Sequence, residues 1–251
     1  MNVRLDGKIA LVTGAGDGIG RGIALALADA GAEVVVNDID ATKGQETTRL
    51  IAANGGRGFF CQADISDADS VAAMFATIGE RHDALHILVN NAGFNIFKGI
   101  QETTLAEWQS IFAVDSTGIY IVTHAALPLL KAAGGASLVN IASVHAKLTV
   151  PDMTAYAGAK GAVVAMSRSL AQELGPLGIR VNTVSPGFID TPLVERWLQS
   201  EPDPAASLKR VLGYHPLGRM GTPADIARPS HFWPATLPAL SPAPTSRWTA
   251  A

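Results

Sequence analysis

Tyr156 and Lys160 stand four residues apart in "TAYAGAKGAVVAMSRSL", and on a helix that spacing sets both side chains on one face. The pair has chemical value. A phenol titrates near 10 and is a poor base at neutral pH, but an adjacent ammonium favours the phenolate. Such a tyrosine takes a proton from an alcohol as hydride leaves the carbon, or returns it to a carbonyl. Thirteen residues upstream, Ser143 follows the apolar run of "SLVNIASVHA". Its hydroxyl is expected at the C-terminal end of a strand, placed to donate a hydrogen bond to the substrate oxygen. Each residue also has an ordinary structural use: a tyrosine packed at a rim, a lysine in solvent, a serine that caps or turns the chain.

A second group of residues suits a dinucleotide. In "TGAGDGIGRGIALALADAG", Gly14, Gly18 and Gly20 give a GxxxGxG pattern with Ile19 inside it, between an apolar run and a helical one. The spacing differs from the common GxGxxG fingerprint, but the mechanics are alike: glycines let the backbone approach a pyrophosphate resting on the free amides of a helix start. Asp38 ends "VVVNDID" about twenty residues further on, where a carboxylate accepts hydrogen bonds from ribose hydroxyls and opposes a 2′-phosphate. Asp17 adds negative charge inside the glycine loop, where a phosphate site would want Arg or Lys. Together they point to NAD rather than NADP. The structural alternatives are a helix N-cap for Asp38 and a solvated loop residue for Asp17.

These residues need a scaffold, and the hydrophobic pattern supplies one. "KIALVTG", "AEVVVND", "GRGFFCQAD", "LHILVNNAG", "ASLVNIAS" and "GIRVNTVSPG" are short runs ended by Gly, Asn, Asp or Ser, each a candidate buried strand. Helical patterns lie between and after them at 19–30, 41–54, 66–81, 104–133, 154–174 and, less sharply, 191–212. The alternation predicts an α/β fold: a Rossmann-like, doubly wound parallel sheet in a single domain, with ligands at the C-terminal strand ends.

Composition narrows the functional classes. At 251 residues and 48% hydrophobic, the chain can bury one large core, and its net charge of −3 supplies no basic face for nucleic acid. Cys61 is the lone cysteine, no metal-ligating set stands out, and no apolar run approaches the ~20 residues of a spanning helix. A soluble protein of the reducing cytoplasm, with a small-molecule substrate and no membrane or nucleic-acid partner, is therefore expected.

Taken as a set, "TGAGDGIG", "NNAG" at 90–93, Ser143, "YAGAK" at 156–160 and "SPG" at 185–187 resemble the short-chain dehydrogenase/reductase family over roughly residues 5–227. The resemblance implies hydride exchange with a nicotinamide. It assigns Tyr156 as acid/base, Lys160 to the nicotinamide ribose and Ser143 to the carbonyl. It also places Asp64 and Ile65 at the adenine, Asn91 beside the cofactor, and Pro186, Gly187, Ile189 and Thr191 along the nicotinamide end. Substrate contacts are expected from Phe94, His145 and Phe188, beside Ser143 and Tyr156, and from a helical lid over 191–215 that carries Leu193, Trp197 and Leu198. Where the family normally has Asn, this chain has Asp115, which accepts hydrogen bonds but cannot donate one. Family members commonly form tetramers, which makes a homo-oligomer the expectation.

The leading functional expectation is an NAD(H)-dependent dehydrogenase interconverting a secondary alcohol, or a sugar or polyol hydroxyl, with its carbonyl. A 3-oxoacyl-carrier-protein reductase and a cofactor-binding relative with impaired turnover stay open beside it. The chain then divides into a catalytic domain over 1–227 and an aberrant Pro-rich tail over 228–251. Family members end in a helix and a last strand that the tail does not spell. In a shifted reading frame Phe232–Trp233 must encode Leu, Trp233–Pro234 Ala and Trp248–Thr249 Asp, and the stretch is readable as "AFLASDFARFVTGANLTVDGG". The tail looks frame-shifted, so the last strand is expected to be missing or disrupted, leaving the sheet edge unpaired.

Overall fold

Six apolar runs become six parallel strands in the computed structural model, which describes residues 4–228 and 247–249. They are β1 Ile9–Val12, β2 Glu33–Asp38, β3 Arg57–Gln62, β4 Ile87–Asn90, β5 Ala136–Ile141 and β6 Ile179–Pro186. A seventh strand, β7, spans Arg247–Thr249, and the spatial order is β3-β2-β1-β4-β5-β6-β7. Winding reverses between β1 and β4, where Val12 is in register with both Val36 and Val89. In such sheets the crevice for a ligand opens at that reversal, beyond the carboxyl ends of the strands.

The strands read as continuous apolar runs because both faces are covered. Ala10 and Val12 point into one core with Ile23 and Leu27 of α1 (Gly18–Asp29), whereas Leu11 points into the other. That second core takes in Met74 and Ile78 of α3 (Ala68–Gly79). α2 (Ala41–Ala53) closes the first face through Ile51. Between the layers runs a buried polar chain: Asn90 donates to Thr123 and Asn140, and Asn140 donates to Ser167. It ties β4 and β5 to the helices behind the site.

Three helical expectations change in detail. The pattern over 104–133 is one continuous helix, but α4 (Leu105–Phe112) and α5 (Ile119–Ala132) are joined by a π-helical turn at Ala113–Gly118. That run of 28 residues is long and apolar enough by length and composition to cross a membrane, so the expectation that no segment approaches that length is corrected. In this fold Val122, Ala126 and Leu130 pack it into the core. The pattern over 191–212 splits at "SEPDP" into α7 (Pro192–Ser200) and α8 (Pro204–Gly213), since a proline ring clashes with the preceding turn. A short α9 (Pro223–Ile226) was not expected; Thr222 and Asp225 hold it in a reciprocal capping box. The long helix α6 (Thr154–Leu174) falls where the pattern puts it.

The last strand is disrupted rather than missing. Among the described residues β7 pairs Arg247, Trp248 and Thr249 with Val184, Ser185 and Pro186 of the eight-residue β6. The edge is paired at these three residues, which corrects the expectation of a wholly unpaired one. Most of the expected irregular tail, 229–246 and 250–251, lies outside the described residues.

Candidate active site

The glycine turn is built by close approach. Gly14 has φ of +59°, and a Cβ there would fall 2.7 Å from the Ala92 Cα of the segment after β4. Only glycine meets both demands. Asn91 staples this turn from across the crevice, its side-chain amide donating to Thr13 O (2.9 Å) and Gly14 O (3.0 Å). Asn91 therefore lines the cleft chiefly as a positioning residue. At Gly20 a Cβ would run into Gly14 O. Asp17 is the N-cap of α1 but makes no side-chain cap hydrogen bond, so the first amides of α1 keep their capacity for an anion. A backbone cradle closed to side chains, under an uncommitted helix start, fits a dinucleotide pyrophosphate.

Asp38 is not the N-cap of α2; Asp40 is, accepting from Lys43 N. Asp38 instead accepts from Gly16 N (2.8 Å) and Asp40 N (2.9 Å), with its carboxylate at the rim of the cleft. The free lone pairs of those oxygens suit ribose hydroxyls. Asp17 departs from expectation. Its carboxylate accepts a hydrogen bond from Lys43 (2.8 Å), which raises the Lys43 ammonium above its ordinary value. Its charge is engaged by Lys43, which leaves Asp38, among the described residues, as the acidic group at this rim with no cation paired to it. The sequence did not single out Lys43, or Arg196 of α7 as a neighbour of this end of the cleft, because their side chains meet it only after folding.

The cleft has a volume of about 510 Å³ and gathers nearly every residue that the sequence nominates. Gly14, Asp17, Gly18, Ile19, Gly20 and Asp38 line its first half, and Asp64 and Ile65 close it beyond β3. Asp64 is fixed by Ser66, whose amide and hydroxyl both donate to it. Pro186, Gly187, Ile189 and Thr191 line the far wall, and Phe94, Ser143, Tyr156 and Lys160 the floor. His145, Phe188 and Asp115 are outside the lining: the first two stand at the mouth, the third behind Lys160.

At the floor, Ser143 caps the turn after β5, accepting from His145 N (3.2 Å), and lines the cleft beside Tyr156. Lys160 is 3% exposed; its ammonium donates to Ile141 O (3.1 Å), lies 3.1 Å from Asp115 Oδ2, and stands 5.6 Å from the Tyr156 ring centroid. Asp115 is fully buried at the middle of the π-helical turn, with Oδ1 accepting from Phe94 N (2.9 Å). The wide turn carries this carboxylate to Lys160, as π-bulges at functional sites commonly do. Burial pushes Asp115 up, against the pull of Lys160 and the Phe94 amide. Burial alone would lower Lys160, but Asp115 and then Tyr156 reverse that, and the ammonium ends above its ordinary value. Tyr156 is pushed up by burial; Lys160 and Ser143 act downward, and Asp115 upward.

Comparison with known proteins agrees with this geometry. A family profile described as "Enoyl-(Acyl carrier protein) reductase" matches residues 14–232. The chain is 32% identical over 229 residues to cyclohexanol dehydrogenase of Acinetobacter sp. (strain SE19), covering 91% of this chain and 88% of that one. It is 35% identical over 238 residues to 3-oxoacyl-[acyl-carrier-protein] reductase of Synechocystis sp., covering 94% and 92%. A gluconate 5-dehydrogenase from Burkholderia cenocepacia, solved with NADP and tartrate, superimposes with a TM-score of 0.83 at 31% identity, covering 90% of this chain and 87% of that one.

Proposed function

Because the chain belongs to the short-chain dehydrogenase/reductase family, and so to the NAD(P)-dependent oxidoreductases, we propose that it is an NAD(H)-preferring dehydrogenase interconverting a secondary alcohol and its carbonyl. The observation that carries this reading is the convergence of Ser143, Tyr156 and Lys160 on one floor at the end of a dinucleotide-shaped cleft. When bound there, the nicotinamide supplies or accepts the hydride. Ser143 donates a hydrogen bond to the substrate oxygen and orients it toward the Tyr156 hydroxyl. Tyr156 gives its proton to that oxygen in reduction and takes it in oxidation. Lys160 holds the phenol in a cationic field, and Asp115 keeps Lys160 in place and charged.

The cofactor preference rests on Asp38, whose carboxylate sits where a 2′-phosphate would be repelled. Lys43 and Arg196 favour the second reading, an NADP-using reductase, because both cations reach the same end of the cleft. Asp17 engages Lys43, which favours the first. Titrating NADH and NADPH by fluorescence decides between them: NADH is expected to bind more tightly, and Asp38→Ala to narrow the gap about tenfold or more. Equal or tighter NADPH binding to the unaltered protein overturns the preference.

A further inference from the structure

The mouth of the site is built from rings contributed by five separate segments. Phe97, from the loop after β4, stacks on Trp197 of α7 with centroids 5.3 Å apart, and Trp197 lies 5.7 Å from Phe188, after β6. Phe188 meets the edge of His145 at 5.9 Å, and His145 meets Tyr156 at 6.0 Å. The five rings form one continuous strip that ends on the phenol assigned to proton transfer. Trp197 is buried as its anchor, whereas Phe97, Phe188 and His145 keep part of their surface open. Burial lowers His145 from its ordinary value, which favours the uncharged imidazole. The nearby cations are committed: Lys98 pairs with Glu107, and Lys160 with Asp115. Lys43 and Arg196 belong to the opposite, adenosine end of the cleft.

A wall of this kind rewards apolar surface and ring faces; its polar capacity is the His145 imidazole, one nitrogen of which is already engaged with Thr149, too little to serve a carboxylate or a row of hydroxyls. We propose that the substrate is an uncharged cyclic or aryl-substituted secondary alcohol, or the matching ketone, whose ring lies against Phe188 and His145, with Trp197 as the positioning residue behind them. This rests on the hydride-transfer reading above, with Tyr156 as proton donor to the substrate oxygen. Polyols and aldonates are excluded as preferred substrates: their hydroxyls would lose water against the strip while gaining too few partners.

The test is a substrate series with NAD at fixed pH: cyclohexanol and 1-phenylethanol against sorbitol, gluconate and 2-propanol, on the unaltered protein, Phe188→Leu and Trp197→Ala. The ring-bearing alcohols are expected to exceed sorbitol and gluconate about a hundredfold or more in kcat/KM. Phe188→Leu, which keeps apolar bulk, should cost the ring-bearing substrates about tenfold, mainly in KM, and cost 2-propanol several-fold less. Trp197→Ala should do the same more strongly, with NADH affinity retained as the control for folding. Efficient turnover of sorbitol or gluconate overturns the substrate assignment but leaves hydride transfer standing. A protein that binds NADH yet turns over no alcohol or ketone overturns the proposed function, and the substrate assignment with it.

Discussion

Tyr156 offers the most direct test of the chemistry. Phenylalanine keeps the ring and its contact with His145 but removes the transferable proton, so Tyr156→Phe should lower turnover about 10²- to 10⁴-fold while NADH affinity stays nearly constant. Activity close to that of the unaltered protein would move the acid/base role elsewhere. Asp115 makes a subtler prediction. Its carboxylate raises both Tyr156 and Lys160, so Asp115→Asn should lower both. Alcohol oxidation requires the deprotonated phenol, so the pH above which oxidation is fast should move to lower pH in the variant, with rate at neutral pH retained or increased. An unchanged profile would show that Asp115 only fills space. At this scale the candidate residues were readable, because Ser143, Tyr156 and Lys160 suggest a chemistry by their types and spacing, and the fold brings them to one floor. Lys43 was not, because its meaning comes from reaching Asp17 across 26 positions of sequence.

Elements put these residues in place, and their ends are where sequence pattern and structure part. The apolar periodicity of α4 and α5 runs unbroken through the π-helical turn, so nothing in the pattern announced the extra width that brings Asp115 to Lys160. The break between α7 and α8 falls at its prolines and α9 starts on its Thr222–Asp225 box, but neither was expected: apolar periodicity runs across the break, and four residues are too few for it to register. The start of α4 makes a testable case. Glu107 closes a capping box with Thr104 and pairs with Lys98, anchoring the loop that carries Phe94 and Phe97. The Lys98 hydrogen bond first, then Thr104, lower Glu107 from an ordinary 4.5 to about 2. A carboxylate with a depressed folded pKa stabilises fully above its unfolded value and ceases to do so as pH falls through the folded one. Glu107→Gln should therefore lower the melting temperature modestly at pH 7, the group being half-buried at the surface and screened by solvent. The difference should close between about pH 4.5 and pH 2. A difference that persists at pH 2 would show that the box works without charge.

For the molecule as a whole, a doubly wound parallel sheet with its ligand at the carboxyl ends of the strands followed from the alternation of runs, whereas the reversal between β1 and β4 did not, since alternation leaves strand order open. What alternation cannot supply is the completion of the far edge. Among the described residues β7 pairs with three of the eight residues of β6. Beside α1 and α9 lies a groove lined by Leu25, Ala26, Ile51 and Ala227. Apolar surface left open at such a groove lowers the stability of a fold and invites association between copies. The face of α4 and α5 turned away from the core leaves Leu105 and Tyr120 exposed, an area that subunit pairing would cover. Replacing the tail with its frame-restored counterpart supplies an apolar helix for the groove and a longer strand for β6. The restored chain should melt at higher temperature and give a larger tetramer fraction by light scattering than the present chain in matched preparations. NADH affinity should be nearly equal in the two, because the glycine turn and Asp38 lie on the opposite half of the sheet. If the present chain is already a tetramer with the same melting temperature, its own 229–251 completes the edge, and the frame-shift reading of the tail fails.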